Sequence, residues 1–240
     1  MQIALIAPIS CLTLASRTGY HLVLAQLLMR RDYATFFAEQ KGYRILDNGA
    51  AEGARVTMPD LSRLAKDFDF DEVVVPDVMG NASKTITMAR AFEKFAEPGR
   101  QYMGVVQGKT VAEIVNCATA LSFLDYITVL VVPRHLTSIH RDLRVNYGEA
   151  LHNIYDRDLP LHFLGSGEDP REVIRLSTLD TARSHDTSMP FVAAYKKSNI
   201  RTFQYKGRPD DYFNLRPPNM ELLHDNIRTY LDWAGVEPIC

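Results

Sequence analysis

Apolar runs of strand length recur along this chain with helix-length amphipathic stretches between them, and this alternation limits the available folds more tightly than any other feature. The strand candidates are 2–7, 43–47, 72–76, 102–107, 126–132, 161–165 and 183–186, with an eighth near 201–205. Val73-Val74-Val75 and 127–132 are nearly continuous in apolar character, as expected of strands buried on both faces of a parallel sheet. Helical periodicity falls at 20–29, 58–68, 82–95, 111–124 and 170–178. Ser83 and Asp169 are the expected N-caps, and Asp169-Pro170 reads as a helix start. Such alternation implies right-handed βαβ units. Seven strands and an eighth predict a single-domain (β/α)8 TIM barrel over residues 1–240; an open doubly wound sheet is the alternative. No G-x-G-x-x-G opens the first helix, which weakens a dinucleotide-binding reading.

The bulk chemistry narrows the partners. A composition of 46% hydrophobic and 23% charged residues is that of a globular chain, not of a disordered or membrane one. The apolar start at 3–9 is too short to span a bilayer and has no basic region before it, so a buried strand is expected rather than a signal peptide or membrane anchor. Cys11, Cys117 and Cys240 are few, odd in number and far apart, which points to a reducing, cytoplasmic setting and away from a disulfide framework or a cysteine zinc site. The Asn81-Ala82-Ser83 sequon is then a chance match. A formal net charge of −2 gives nucleic acid no global attraction, so phosphate binding needs a local patch. Two candidates exist. One joins Arg134-His135, His140-Arg141 and Arg144; the other joins Lys196, Lys197, Arg201, Lys206 and Arg208, interleaved with Tyr195, Phe203, Tyr205 and Tyr212.

In a barrel the chemistry sits where strands end at the C-terminal rim. The polar groups placed there are Asp47, Asp77, Gln107, the Val131-Val132-Pro133 loop, Gly165-Ser166-Gly167 and Asp186. Two carboxylates facing one pocket, Asp47 and Asp186, can exchange a group at an anomeric carbon, one capturing the developing cation and the other moving a proton. Each residue also has a plain structural reading. Asp47-Asn48-Gly49 is a common turn, Asp77 after Pro76 can cap a helix, and Gln107 can satisfy loop backbone. His185 adjoins Asp186 on a strand and so should face the opposite way, as a structural histidine.

The ordered set of these segments resembles the tRNA-guanine transglycosylase superfamily over about two-thirds of the chain. Tyr102-Met103-Gly104-Val105-Val106-Gln107-Gly108 is similar to that family's G-[IV]-V-Q-G strand. The stretch from Leu161 to Pro170 resembles its Y-L-M-G-V-G-x-P-x-D segment, Asp186-Thr187-Ser188-Met189-Pro190 its D-C-V-x-P, and Ile45 to Ala50 its D-S-G-G turn. The resemblance implies a (β/α)8 enzyme that exchanges guanine for a 7-deazaguanine. Asp186 would be the nucleophile at C1′ and Asp47 the acid/base. Asp77 would read the guanine N1–H and exocyclic amine, and Gln107 the O6/N7 edge. Backbone at Val131 and Val132 would touch the 7-substituent, with Leu164 on the base face and Gly165 allowing close approach. Asn48 stands for the family's serine and Ala51 for its aromatic. The family's C-x-C-x-x-C zinc module is missing, so no metal or other cofactor is expected. These departures fit the phage and genomic-island relatives, the DpdA proteins, which place 7-deazaguanines in DNA. The expected partners are therefore DNA, with its guanine nucleotide flipped out or single-stranded, and a free 7-deazaguanine base; the resemblance also admits a homodimer. The nucleic-acid contacts would come from Arg134, Lys196, Lys197 and Arg201. The alternatives are exchange on tRNA, a non-catalytic 7-deazaguanine or nucleic-acid binding module, and a hydrolase or deoxyribosyltransferase acting on free nucleosides.

Overall fold

Apolar segments buried on both faces pair in parallel around a barrel, and the computed structural model describes residues 1–140, 142–151 and 159–239 of it. The strands are β1 (Gln2–Leu5), β2 (Tyr20–Leu24), β3 (Tyr43–Asp47), β4 (Glu72–Val74), β5 (Gln101–Val105), β6 (Val129–Pro133), β7 (Leu161–Leu164) and β8 (Ala182–Thr187). They form one sheet in the order β1-β8-β7-β6-β5-β4-β3-β2, and every paired neighbour is parallel. β1 and β2, the two ends, lie side by side and nearly close the (β/α)8 barrel without a ladder between them. The helices are α1 (Arg31–Glu39), α2 (Met58–Asp67), α3 (Ala82–Phe92), α4 (Val111–Ser122), α5 (Leu143–Leu151), α6 (Glu172–Leu176), α7 (Met189–Tyr195) and α8 (Met220–Ala234). Thr57, Asn81, Thr110 and Asn219 each accept the backbone N–H three residues on, the hydrogen bond that opens a helix and that contributes about 1 kcal/mol. Among the described residues no helix is long and apolar enough to cross a membrane.

Three expectations need correction. The stretch 20–29 is not a helix but β2 followed by a 3-10 turn, Ala25–Met29. Tyr-His-Leu-Val-Leu is buried on both faces, with Leu22 and Leu24 toward the barrel interior and His21 edge-on to Phe37; a run apolar on both faces carries no period to tell strand from helix. No strand forms near 201–205, where Ile200–Thr202 is a 3-10 turn and the chain then crosses the barrel mouth as a strap over 203–213. The cap of α3 is Asn81 rather than Ser83, and Asp169 accepts the Arg171 N–H at 2.9 Å ahead of α6, whose own N-cap is Arg171. Helices α1, α5, α7 and α8 lie outside the predicted stretches. Arg141 and Cys240 lie outside the described residues.

Strand register sorts the side chains. From β2 to β6 the inward positions are mostly apolar: Leu22, Leu24, Ile45, Val74, Met103, Val105, Val129 and Val131. Their neighbours Val23, Leu46, Val73, Leu130 and Val132 point outward into a second apolar layer beneath the helices. β7 and β8 break the pattern, turning His162, Ser184 and Asp186 into the barrel. Below the rim the polar interior is therefore built largely from β7 and β8, joined by Glu72 of β4 and Tyr20 of β2.

Candidate active site

The C-terminal strand ends open into a cleft of about 2040 Å³. Asp47, Asn48, Asp77, Gln107, Arg134, Leu164, Gly165, Asp186 and Arg201 all line it, so most of the predicted set converges. Four predicted residues do not reach it. Val131 and Val132 are fully buried in the two apolar layers, and the Val131 carbonyl accepts the Val106 N–H at 3.0 Å within the sheet; Pro133, the last residue of β6, is the one at the cleft. Lys196 and Lys197 are exposed just beyond the C-terminal end of α7, outside the cleft lining.

Asp186 is held from one side. The Gly165 N–H donates to its Oδ1 at 2.7 Å, and His162 Nε2 lies 3.3 Å from the same oxygen. Gly165 sits at φ +66°, a left-handed conformation that glycine adopts without strain and that aims this N–H at the carboxylate. Burial, the largest single influence, raises the carboxyl pKa of Asp186. The hydrogen bonds from His162 and the Gly165 N–H work against it, and the group stays below its ordinary value. Asp186 is thus a carboxylate. His185 faces away, as strand alternation requires, with Nδ1–H toward the Phe163 carbonyl at 2.7 Å and Nε2 2.7 Å from the Tyr230 hydroxyl. Burial pushes its pKa down to about 3, so it is neutral.

Asp47 is placed differently. It ends β3, is buried, and its carboxyl has no hydrogen-bond partner among the described residues. Burial, then the charges of Glu52, Asp186 and Asp77, hold its carboxyl well above the ordinary range, against the pull of Arg208. The turn after it needs Gly49, whose φ of +71° is left-handed and whose Cβ would lie 2.8 Å from the Ala54 Cβ. One cleft therefore holds two carboxyls that their surroundings shift in opposite directions, Asp186 toward the carboxylate and Asp47 toward the protonated acid.

Asp77 sits between two amides. Asn48 Nδ2 donates to its Oδ1 at 2.9 Å and to the Val75 carbonyl at 2.8 Å, while Gln107 Nε2 donates to its Oδ2 at 2.6 Å. Gln107 Oε1 in turn accepts the Gly80 N–H at 2.8 Å. Gln107 is thus committed to fixing Asp77, with one N–H of Nε2 left over. Burial raises the Asp77 pKa against the two amide hydrogen bonds. The result is a fixed, partly desolvated acceptor facing the cleft.

The strap supplies the mouth. The Tyr205 N–H donates to the Glu168 carbonyl at 3.0 Å, and its hydroxyl meets Ser188 Oγ at 2.8 Å. Arg134 stacks over the Tyr205 ring at 4.7 Å, while Arg208 pairs with Glu52 and lies 5.5 Å from the Phe213 ring centroid. Arg201 reaches Asp225 at 3.5 Å. Two participants escaped the sequence reading, His162 and Glu52. Strand parity could have found the first, since His162 lies two residues before the cleft residue Leu164 and so shares its inward face. No sequence signal marks Glu52, which matters only through Arg208 and Asp47. Among the described residues no three His, Cys, Asp or Glu side chains gather as a metal-binding group. No protein-family model matches the chain, and no curated protein shows significant similarity to it.

Proposed function

We propose that this protein is a base-exchange glycosyltransferase that replaces guanine in DNA with a 7-deazaguanine through a covalent Asp186–C1′ intermediate. The supporting observation is the pair of cleft carboxyls whose surroundings drive their protonation apart, the arrangement that separates a nucleophile from an acid. Asp186 attacks C1′ as the bond to N9 of guanine breaks, and the Asp47 carboxyl gives its proton to the departing base. The glycosyl ester formed on Asp186 keeps the sugar activated. An incoming 7-deazaguanine then loses its N9 proton to the Asp47 carboxylate, N9 attacks C1′, and Asp186 is released as a carboxylate. One N-glycosidic bond replaces another with no net proton change, so neither ATP nor a redox partner is needed.

Asp77, fixed by Asn48 and Gln107, accepts hydrogen bonds from the N1–H and exocyclic amine that guanine and 7-deazaguanines share. Leu164 offers the base an apolar face. The cleft exceeds the ~300–1,000 Å³ of ordinary small-molecule pockets, which favours a polymer over a free nucleoside. Arg134 and Arg201, with the aromatic strap, give the rim the mixture of cations and rings that suits phosphates and unstacked bases. Reaching C1′ in a duplex requires extrusion of the nucleotide, at about a few kcal/mol, so single-stranded or distorted sites react first.

The test is to incubate the protein with labelled 7-cyano- or 7-aminomethyl-7-deazaguanine, offering DNA and tRNA in parallel. Label should enter DNA, without abasic sites, and Asp186→Ala should abolish it. Label in tRNA alone would make the chain an RNA enzyme, and abasic product without incorporation would make it a hydrolase.

A further inference from the structure

A line of polar side chains, buried except for the partly exposed Arg183, runs through the barrel from its N-terminal end to Asp186. It begins at Glu72, fully buried on β4, whose carboxylate takes both ends of the Arg183 guanidinium at 2.7 and 3.1 Å. Arg183 reaches inward because β8 carries a bulge. Leu161 pairs with Ala182 and His162 with Ser184, leaving Arg183 as the extra residue that the bulge re-aims. Arg183 then donates to the Tyr20 hydroxyl oxygen at 3.0 Å. Tyr20 donates to Ser184 Oγ at 2.9 Å, Ser184 Oγ lies 2.8 Å from His162 Nδ1, and His162 Nε2 lies 3.3 Å from Asp186 Oδ1.

The direction of every hydrogen follows from the first link. A guanidinium has donors only, so the Tyr20 oxygen must accept from it and the Tyr20 proton must go on to Ser184. Burial pushes the Tyr20 phenol up to about 12, so that proton stays in place. Ser184 Oγ also faces Arg183 Nε at 3.4 Å, which leaves the serine's own O–H free only for His162 Nδ1. Nδ1 is then an acceptor and the ring proton is on Nε2, directed at Asp186. The other tautomer would set a bare Nε2 lone pair against a carboxylate oxygen. A doubly protonated ring would strip the Ser184 O–H of its acceptor.

We infer that Glu72, Arg183, Tyr20 and Ser184 form a one-way hydrogen-bond relay that fixes His162 as an Nε2–H donor to Asp186 Oδ1, making His162 a positioning residue and Oδ2 the attacking oxygen. Oδ1 already holds two donors, the Gly165 N–H and His162, whereas Oδ2 has no hydrogen-bond partner among the described residues and Asp186 lines the cleft. The role of Oδ2 rests on the base-exchange reading; the relay and the tautomer do not.

Two measurements separate these claims. Long-range 1H–15N correlation spectra of labelled protein, with His162 assigned from its loss in His162→Gln, should show a protonated Nε2 and an unprotonated Nδ1 near neutral pH. Ser184→Ala and Tyr20→Phe should relax this to a tautomer mixture. An Nδ1–H ring or an imidazolium in the unmodified protein overturns the relay. In exchange assays Ser184→Ala should lower kcat about tenfold, the effect of one lost hydrogen bond, with KM unchanged because Ser184 lies below the cleft. His162→Gln, which keeps an amide N–H near the Nε2 position, should retain more activity than His162→Leu. Equal activity of those two, or an unchanged kcat in Ser184→Ala, removes the positioning role. If the unmodified protein exchanges no base, the functional reading fails while the spectra still decide the relay.

Discussion

Replacing Gly165 by alanine adds a methyl group to a residue held at φ +66° whose N–H anchors Asp186. An L-residue in that region is disfavoured by about 1–2 kcal/mol. Steric crowding adds nothing, because the new Cβ would meet the Arg134 Cβ at 3.5 Å, an ordinary contact. The alternative is rotation of the peptide, which withdraws the N–H from a carboxylate and forfeits a hydrogen bond of about 1.5–3 kcal/mol. Keeping the left-handed conformation is the cheaper course. Gly165→Ala should therefore lower stability by about 1–2 kcal/mol, a Tm drop of about 2–8 °C for a chain of this size. Base exchange should fall less than about tenfold, since the N–H stays in place. Gly165→Asn, which enters that region more readily, should recover part of the loss. Gly165→Val forces the rotation and should reduce exchange more than about tenfold. Thermal melts and initial exchange rates on one guanine-containing oligonucleotide read both quantities. An alanine variant as stable as the parent, or a valine variant as active as the alanine one, refutes the reasoning.

The two cleft carboxyls should move stability with pH in opposite directions. The raised Asp47 favours the fold in its protonated form, a contribution present below the unfolded carboxyl pKa and lost as pH rises through the folded value, so Asp47→Asn should gain on the parent toward neutral pH. The lowered Asp186 contributes above the unfolded pKa and loses that contribution as pH falls through its folded value, so Asp186→Asn should be weakest near neutrality. Urea midpoints from about pH 3 to about pH 8 read this, and the same trend for both variants contradicts the assignment. Arg208→Ala removes the cation that restrains Asp47, so the alkaline limb of kcat/KM should shift to higher pH; an unmoved limb disconnects Asp47 from the departing base. Asn48→Ala strips a donor from a buried carboxyl oxygen of Asp77, which should cost about 1–3 kcal/mol of stability in denaturant titrations and raise KM for the free base. Unchanged values for both would mean that Asp77 is not held by Asn48.

The rim was legible because apolar runs display where they end. Asp47, Asp77, Gln107, Gly165 and Asp186 all stand at or just beyond such ends, and all five line the cleft. β2 was hidden because burial on both faces of 20–24, followed by more apolar residues, erases the period that separates strand from helix. The strap imitated a strand because Phe203 and Tyr205 alternate with polar neighbours, yet Phe203, Gln204, Tyr205 and Lys206 all line the cleft, with Tyr205 bonding Ser188. The relay was invisible for a different reason. Glu72, Ser184 and His162 are spread over β4, β8 and β7, and only a closed barrel with a bulge at Arg183 brings them into line. Lys196 and Lys197 looked like a phosphate patch by composition, but composition does not say that they lie beyond α7, away from the cleft.

The most direct test of a nucleophilic Asp186 is to acid-quench the protein during turnover on a guanine-containing single-stranded oligonucleotide and map the adduct by peptide mass spectrometry. The account predicts an adduct carrying the oligonucleotide sugar on Asp186, absent in Asp186→Ala and discharged by added 7-deazaguanine. An adduct on another residue, or released guanine with an abasic strand and no adduct, would contradict it.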